Sequence, residues 1–432
     1  MSGLAAAARL AAAGLDVTVL DARDRVGGRV WTVHDPRAGV SIELGAEFVH
    51  GAAPPVMQIA RQAGLEVVQS DGEFLTGLGG ALQPADHLWT QMSRVFSHLN
   101  PARKEDRSFA QVLAAIPKVR PADRRMALQY IEGFEAADPA RISERALARS
   151  LNRTAGSAEH SARVLGGYDG IVNALAAPVR RRIKLGRIVS AVNWAPGEVE
   201  VASRSASSGR SFPSIRAHAA VITVPLGVLT APPGAEAGVA IHPPVPSRER
   251  AMRALAVGAA MRVALVLDEP FWLSRRFSAR HGHRRFDDLS FLLAGADVPF
   301  PTWWTTYPAA APVLVGWRGG PRAWTMSEKP RDAVVHDAVR SAAQLFGMPA
   351  RTMARHVRAA HTHDWIHDPF TLGAYSYACV GGAAAAAALA RPVKHTLYFA
   401  GEHVYGHGRE GTVDGAIASG QRAAHRLLRN FR

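Results

Sequence analysis

Cysteine is almost missing from this sequence: Cys379 is the only one in 432 residues. An internal disulfide framework is therefore excluded, and so is any cysteine-based structural zinc site. Lysine is nearly as scarce. Lys104, Lys118, Lys184, Lys329 and Lys394 are the only five among 51 basic residues, so the net charge of +15 is carried by arginine. The arginines are scattered, with clusters only at 180–182 and 275–285. Dispersed charge without a base-reading motif specifies little, and no specific nucleic-acid partner is expected. No apolar run reaches the roughly 18 residues of a membrane span. The nearest charge-free stretch, 298–317, contains Pro299, Pro301, Pro308 and Pro312, which would break a helix. The opening residues have no signal-peptide layout. A soluble, cytoplasmic protein with no membrane contact is the expectation. Hydrolase and nucleotide-triphosphatase signatures (G-x-S-x-G, H-E-x-x-H, G-x-x-x-x-G-K-[ST]) are also missing.

What is present is ordinary globular material, 48% apolar and 20% charged. That composition excludes wholesale disorder. Leu4 to Ala13 reads as an Ala/Leu helix stopped by Gly14. A short strand, Val17 to Leu20, then ends on Asp21, where a doubly wound fold places the acid that receives ribose hydroxyls. Gly27 and Gly28 follow, flanked by Arg23 and Arg29. Paired glycines let backbone approach a phosphate, and an adjacent arginine can neutralise it. Only Gly3 can serve as a glycine of the G-x-G-x-x-G fingerprint, in its third place. The recorded start is therefore expected to lie about ten residues or more inside the natural frame, short of the first strand.

Farther along, 55–150 alternates helical patterns, such as Val56–Ala63 and Ala122–Phe134, with polar loops. Strand patterns occupy Ile188–Trp194, Val199–Ser203, Ala219–Val224 and 261–268, and helices are expected at Arg331–Leu345 and Ala383–Ala390. Near the end, Thr396 to Glu402 reads as a strand closing on Gly401 and Glu402, and 411–420 opens a small-residue helix running to Leu428. Glycines at a helix N-terminus let amide groups meet an anionic ligand. Strands and helices mixed throughout imply α/β or α+β architecture. Both chain ends look like parts of one dinucleotide site with a second domain between.

Four segments occur together and in order: Val19–Arg29, Glu43–Gly51, Asp364–Tyr377 and Phe399–Glu402 with Gly411–Ala416. In combination they resemble the flavin-containing amine oxidase family, which includes monoamine oxidases, polyamine oxidases and flavin-type histone demethylases. The resemblance covers essentially the whole chain. It implies a Rossmann-like FAD-binding domain built from 1–54, 155–235 and 386–432. An α+β substrate domain from 55–154 and 236–385 would be interleaved with it. It further implies that Asp21 binds the adenosine ribose, that Arg23, Gly27, Gly28 and Arg29 line the pyrophosphate and flavin, and that Val189 meets adenine. Gly45, Ala46 and Glu47 would pass near the isoalloxazine ring or the substrate mouth, the mouth also being shaped by His50. Gly401 and Glu402 would hold the ribitol-phosphate end, Thr412 and Val413 the pyrimidine edge, and Trp365 and Tyr375 the cavity walls.

Three positions depart from the family. Ala374 stands where covalently flavinylated members carry cysteine, so the FAD is expected to be non-covalent. Thr412 replaces a second aromatic wall, as in polyamine oxidases and demethylases. Arg262 takes the place of the lysine that holds a water against flavin N5, and arginine stays protonated and cannot act as a base. The implied reaction is oxidation of a C–N bond in an amine by hydride transfer to N5, with oxygen or another acceptor taking the electrons. Dehydrogenation of a non-amine and a flavin-binding role without turnover are the alternatives. A chain of charge +15 repels cationic polyamines at long range unless its pocket is locally acidic. The spacing of His361, His363 and His367 is compatible with a metal site, but it falls within the Trp365 motif and no metal is expected. The sequence allows a homodimer. Trp303, Trp304 and their neighbours in 300–307 are read mainly as packing residues.

Overall fold

A computed structural model of the chain describes every residue except Gly79, Asp86, 155–159, Pro233, Ala296, His407 and 431–432. The expected domain boundary at 154/155 therefore abuts residues outside the described set. The chain opens with helix Ser2–Ala12, which buries Leu4, Ala5, Ala6, Ala7 and Leu10. It stops where Gly14 adopts φ of +84°, a left-handed conformation that glycine takes without strain. Its partner is the last helix, Val413–Leu428. The two cross closely because a Cβ on Gly420 would run into the Ser2 carbonyl.

Around these helices lie two parallel ladders. Val19–Leu20 pairs with Ile183–Lys184, and Ala220–Ile222 pairs with Leu397–Phe399. Among the described residues neither ladder adds a third strand. In each parallel pair both strands end at the same edge, where open α/β sheets receive their ligands. The loops leaving those edges carry Asp21–Arg29 and Ala400–Glu402. A four-stranded sheet follows, in the order Ile215–Ala217, Glu198–Ser205, Arg187–Ala195, Ala240–His242.

The largest sheet has seven strands, in the order Val357–His361, Ala260–Leu267, Val313–Gly319, Thr302–Trp304, Leu289–Leu293, Glu73–Leu78, Ala81–Pro84. Ala260–Leu267 is buried at every position. Successive side chains alternate faces, and the packing follows that period. Met261, Val263, Leu265 and Leu267 join a core with Val334, Ala338 and Ala342 of helix Arg331–Leu345. Ala264 and Val266 instead meet Ile42, Leu44 and Trp304. Arg262 shares this second face, so strand parity aims it at the Ile42–Glu47 segment.

The sequence reading of 55–150 as helices and loops omitted strands Val67–Gln69, Glu73–Leu78 and Ala81–Pro84. These are short, and Thr76, Gly77 and Gln83 interrupt their apolar alternation. Pairing with Leu289–Leu293 and Ser161–Val164, distant in sequence, supplies what local pattern lacks. No helix among the described residues is long and apolar enough to cross a membrane.

Candidate active site

The loop after Leu20 is held by its own polar atoms. Asp21 accepts the Arg23 amide at 3.0 Å. Burial raises its carboxyl above the ordinary value, against the pull of that amide and of nearby arginines. Gly27 and Gly28 take φ of +102° and +61°. Arg25 fastens this turn, donating to the Gly28 carbonyl at 2.9 Å and the Val30 carbonyl at 3.2 Å while stacking on Trp31. The strand bearing Val189 is tied to the same loop, because the Arg187 amide donates to the Asp21 carbonyl at 2.8 Å. Arg23 reaches elsewhere: its guanidinium pairs with Asp368 at 2.6 Å and lies over the rings of Trp365 and Phe370.

Arg29 links both chain ends. It donates to the Ala374 carbonyl and, at 3.1 Å, to Glu402. Glu402 also accepts from the Ser376 hydroxyl at 2.7 Å and the Gly411 amide at 3.0 Å. Burial alone would raise this carboxyl, but the Arg29 charge and the Ser376 bonds hold it below the usual range. Thr412 caps the last helix, accepting the Gly415 amide at 2.9 Å, so Val413 begins it. Gly401 presses on the buried His403 ring. Neither ring nitrogen of His403, nor Oδ1 of Asp414, has a partner among the described residues. Burial pushes the imidazole down to about 4, so it is neutral.

Glycine is obligatory at 45, where a Cβ would run into the Arg29 carbonyl and meet the Trp365 ring at 3.3 Å. Ala46 returns its amide to the same carbonyl at 3.1 Å. Trp365 is buried and donates to the Leu44 carbonyl at 2.8 Å. Tyr375 donates to the Phe134 carbonyl at 2.6 Å, and a Cβ on Gly411 would touch its ring at 3.0 Å. Arg262 donates to the Gly45 carbonyl at 3.0 Å and to Glu47. Trp304 donates to Glu47 at 3.0 Å, so one tryptophan of the 300–307 segment reaches the site, whereas Trp303 is core.

Around Tyr375 the lining is aromatic and acidic. His50 packs between Phe48 and Phe134, and Phe134 stacks on Tyr130. His50 and Phe134 keep much of their surface open. Desolvation lowers the His50 imidazole to about 4. Glu135 lies within electrostatic reach of both Tyr375 and Glu410. Burial, then the Glu410 charge, pushes the Glu135 carboxyl up to about 7.

Direct contacts thus connect Arg29 to Gly45, Ala46 and Glu402, Gly45 to Trp365 and Arg262, Arg262 to Glu47, and Glu402 to Gly411, which lies against Tyr375, while the strand bearing Val189 is tied to the Asp21 loop. Gly3 lies at the C-terminal end of strand Ala220–Ile222. A Cβ there would meet the Thr223 hydroxyl at 2.8 Å, so Gly3 lets the first helix lie against the residue that follows strand Ala220–Ile222. His361, His363 and His367 each turn to a different aspartate, Asp35, Asp368 and Asp364. Sequence reasoning missed Arg25, Arg163, Glu135 and Glu410. Arg25 alone left a signal, as the basic residue inside the glycine turn.

The residues fit a dinucleotide. A Cβ on Gly28 would meet nothing within 4 Å, and the buried His403 ring nitrogens and Asp414 Oδ1 have no partner among the described residues, so the glycine turn and the start of the last helix leave open backbone and polar atoms for a ligand. The family model of flavin-containing amine oxidoreductases matches residues 1–428. Polyamine oxidase 3 of Oryza sativa subsp. japonica is 28% identical, over 100% of this chain and 89% of that protein. The peroxisomal N(1)-acetyl-spermine/spermidine oxidase of Bos taurus is 25% identical, over 99% and 93%. Among solved structures, cyclohexylamine oxidase from Brevibacterium oxydans superposes with a TM-score of 0.81 at 20% identity, covering 100% of this chain and 97% of that one. Putrescine oxidase bound to putrescine gives 0.78 at 23%, covering 99% and 97%. Geometry and likeness agree: the chain belongs to the flavin-containing amine oxidoreductases, and its cofactor is FAD.

Proposed function

We propose that this enzyme oxidises the C–N bond of an amine bearing a second cationic group, a diamine or polyamine, and passes the electrons to oxygen. The observation that carries this reading is the placement of two acids beside Tyr375: Glu135 follows Phe134, whose carbonyl accepts the Tyr375 hydroxyl at 2.6 Å, and Glu410 precedes Gly411, which lies against the Tyr375 ring. In a chain of charge +15, a local acidic site is what a cationic substrate requires. Bound FAD supplies the oxidising power, accepting two electrons from the substrate carbon. The protein's task is to bind, orient and dry that carbon.

Tyr375, Phe134 and Trp365 present apolar faces that disfavour the ammonium form of the reacting amine, which must be neutral to be oxidised. Glu135, once ionised, holds the distal ammonium and fixes which carbon faces the flavin. Non-covalent FAD follows from Ala374 preceding Tyr375, while Cys379 is half-buried and engaged by Arg141 at 3.8 Å. We further assign 55–154 and 236–385 to the substrate side and the remaining segments to the FAD side.

Peroxide release from a panel of amines tests the reading. Diamines and polyamines are expected to outperform matched monoamines. Glu135→Gln should raise KM for a diamine about tenfold or more, the loss of one buried charge-assisted contact, and leave monoamine KM unchanged. Equal losses for both substrates would overturn the acidic-pair assignment.

A further inference from the structure

Arg262 is not alone on its strand face. Its guanidinium forks between the Gly45 carbonyl at 3.0 Å and Glu47. Glu47 in turn is gripped by Arg163 on its other oxygen and by the Trp304 indole at 3.0 Å. Arg163 is anchored by the Thr305 carbonyl at 2.8 Å and lies over the Phe48 ring. All three charged side chains are nearly removed from solvent, with 5% of Arg262, 7% of Glu47 and 11% of Arg163 exposed. Nε of each arginine has no partner among the described residues, so Glu47 is the carboxylate hydrogen-bonded to both. A cavity of about 580 Å3 is lined by Glu47 and Arg163 but not by Arg262. Glu47 therefore borders both that cavity and the Arg262 charge.

We infer that Glu47 is a positioning residue and counter-charge that sets how much of the Arg262 positive charge is felt at the flavin ring. The inference rests on the flavin reading of the site. Two buried cations share one carboxylate, with Glu43 as a second, more distant acid bonded to the Tyr168 amide and the Thr32 hydroxyl. A planar guanidinium held at two of its nitrogens has a fixed plane, unlike an ammonium on a flexible stem. Its charge then acts from one place and in low dielectric, where it counts most. Reduction adds negative charge to the ring. An uncompensated Arg262 favours that step, and a compensated one favours it less.

The test is the two-electron potential of the purified, FAD-loaded protein, equilibrated with a reference dye and read by visible absorption. Glu47→Gln should shift the equilibrium toward reduced flavin by about tenfold, the order expected for removing one buried unit charge at an effective dielectric near 20. Arg262→Met should shift it the other way. The double variant should return close to the wild-type value, because the two changes cancel in charge. A merely structural role predicts instead that both single variants lower the melting temperature and leave the potential in place, and that result overturns the inference. Should Glu47→Gln fail to retain flavin, Arg163→Met decides. Freed of its second cation, Glu47 compensates Arg262 more fully and the potential should fall; an unchanged potential overturns the inference. Wild-type protein that binds no FAD would instead overturn the flavin reading itself.

Discussion

At the scale of single residues, the site is a set of buried charges that only make sense in pairs. Arg29 and Glu402 come from opposite ends of the chain and meet with 24% and 6% of their side chains exposed. Removing one partner strands the other, which costs about 3–5 kcal/mol in buried pairs. Arg29→Met should therefore lower stability by that order in thermal or denaturant unfolding, and lose flavin. Gly45→Ala is a different failure, since its new methyl collides with backbone rather than with a movable side chain. We expect it to cost about 1–3 kcal/mol by overpacking and to empty the site, read as protein without visible flavin absorption. Glu135 gives a pH signature. Its carboxyl, pushed up to about 7, is mostly neutral below that pH and ionised above it. The kcat/KM for a diamine should then rise through neutrality, and Glu135→Gln should remove that limb while leaving the limb set by substrate ionisation.

At the scale of elements, strand parity and helix capping explain why the residues point where they do. Arg262 faces the site because its even-numbered neighbours Ala264 and Val266 pack on Ile42 and Leu44, while the odd positions face helix Arg331–Leu345. A one-residue slip would bury the guanidinium among Leu265-type neighbours. Thr412 holds the first turn of the last helix and lies beside Tyr375 through Gly411. Thr412→Ala should cost about 0.5–2 kcal/mol, the range for a lost N-cap, measured as a lower melting temperature.

Elements with strong periodicity were legible in the sequence. Helix Arg331–Leu345 has the expected ends, and strand Ala260–Leu267 is one residue from them. Val17 and Thr18, expected in the first strand, fall outside the two-residue strand Val19–Leu20. Strands Glu73–Leu78 and Ser161–Val164 were not legible, because partners distant in sequence create them.

At the scale of the whole molecule, the fold brings together segments more than 300 residues apart, such as Arg29 with Glu402 and Arg23 with Asp368. The four motif segments could be read because backbone chemistry restricts them: tight turns need glycine, and a phosphate approach needs a donor-rich loop. Arg163, Glu135 and Glu410 could not be assigned a role from the sequence, and Glu47 was placed near the ring or the substrate mouth only through the family resemblance. Each is a common charged residue whose meaning comes from what the fold places beside it. The same holds for net charge, which at +15 repels cationic substrates at long range and says nothing of the local acids Glu135 and Glu410. Acid precipitation should release all of the flavin into the supernatant. Flavin remaining with the pellet would mean a covalent bond that Ala374 and Cys379 give no means to form.

The most direct test is anaerobic titration of the purified protein with a diamine, followed by visible absorption. The account predicts bound flavin that bleaches in proportion to the diamine added and recovers with peroxide when air is admitted. Flavin that stays oxidised with every amine, or that bleaches only with a non-amine donor, would contradict it.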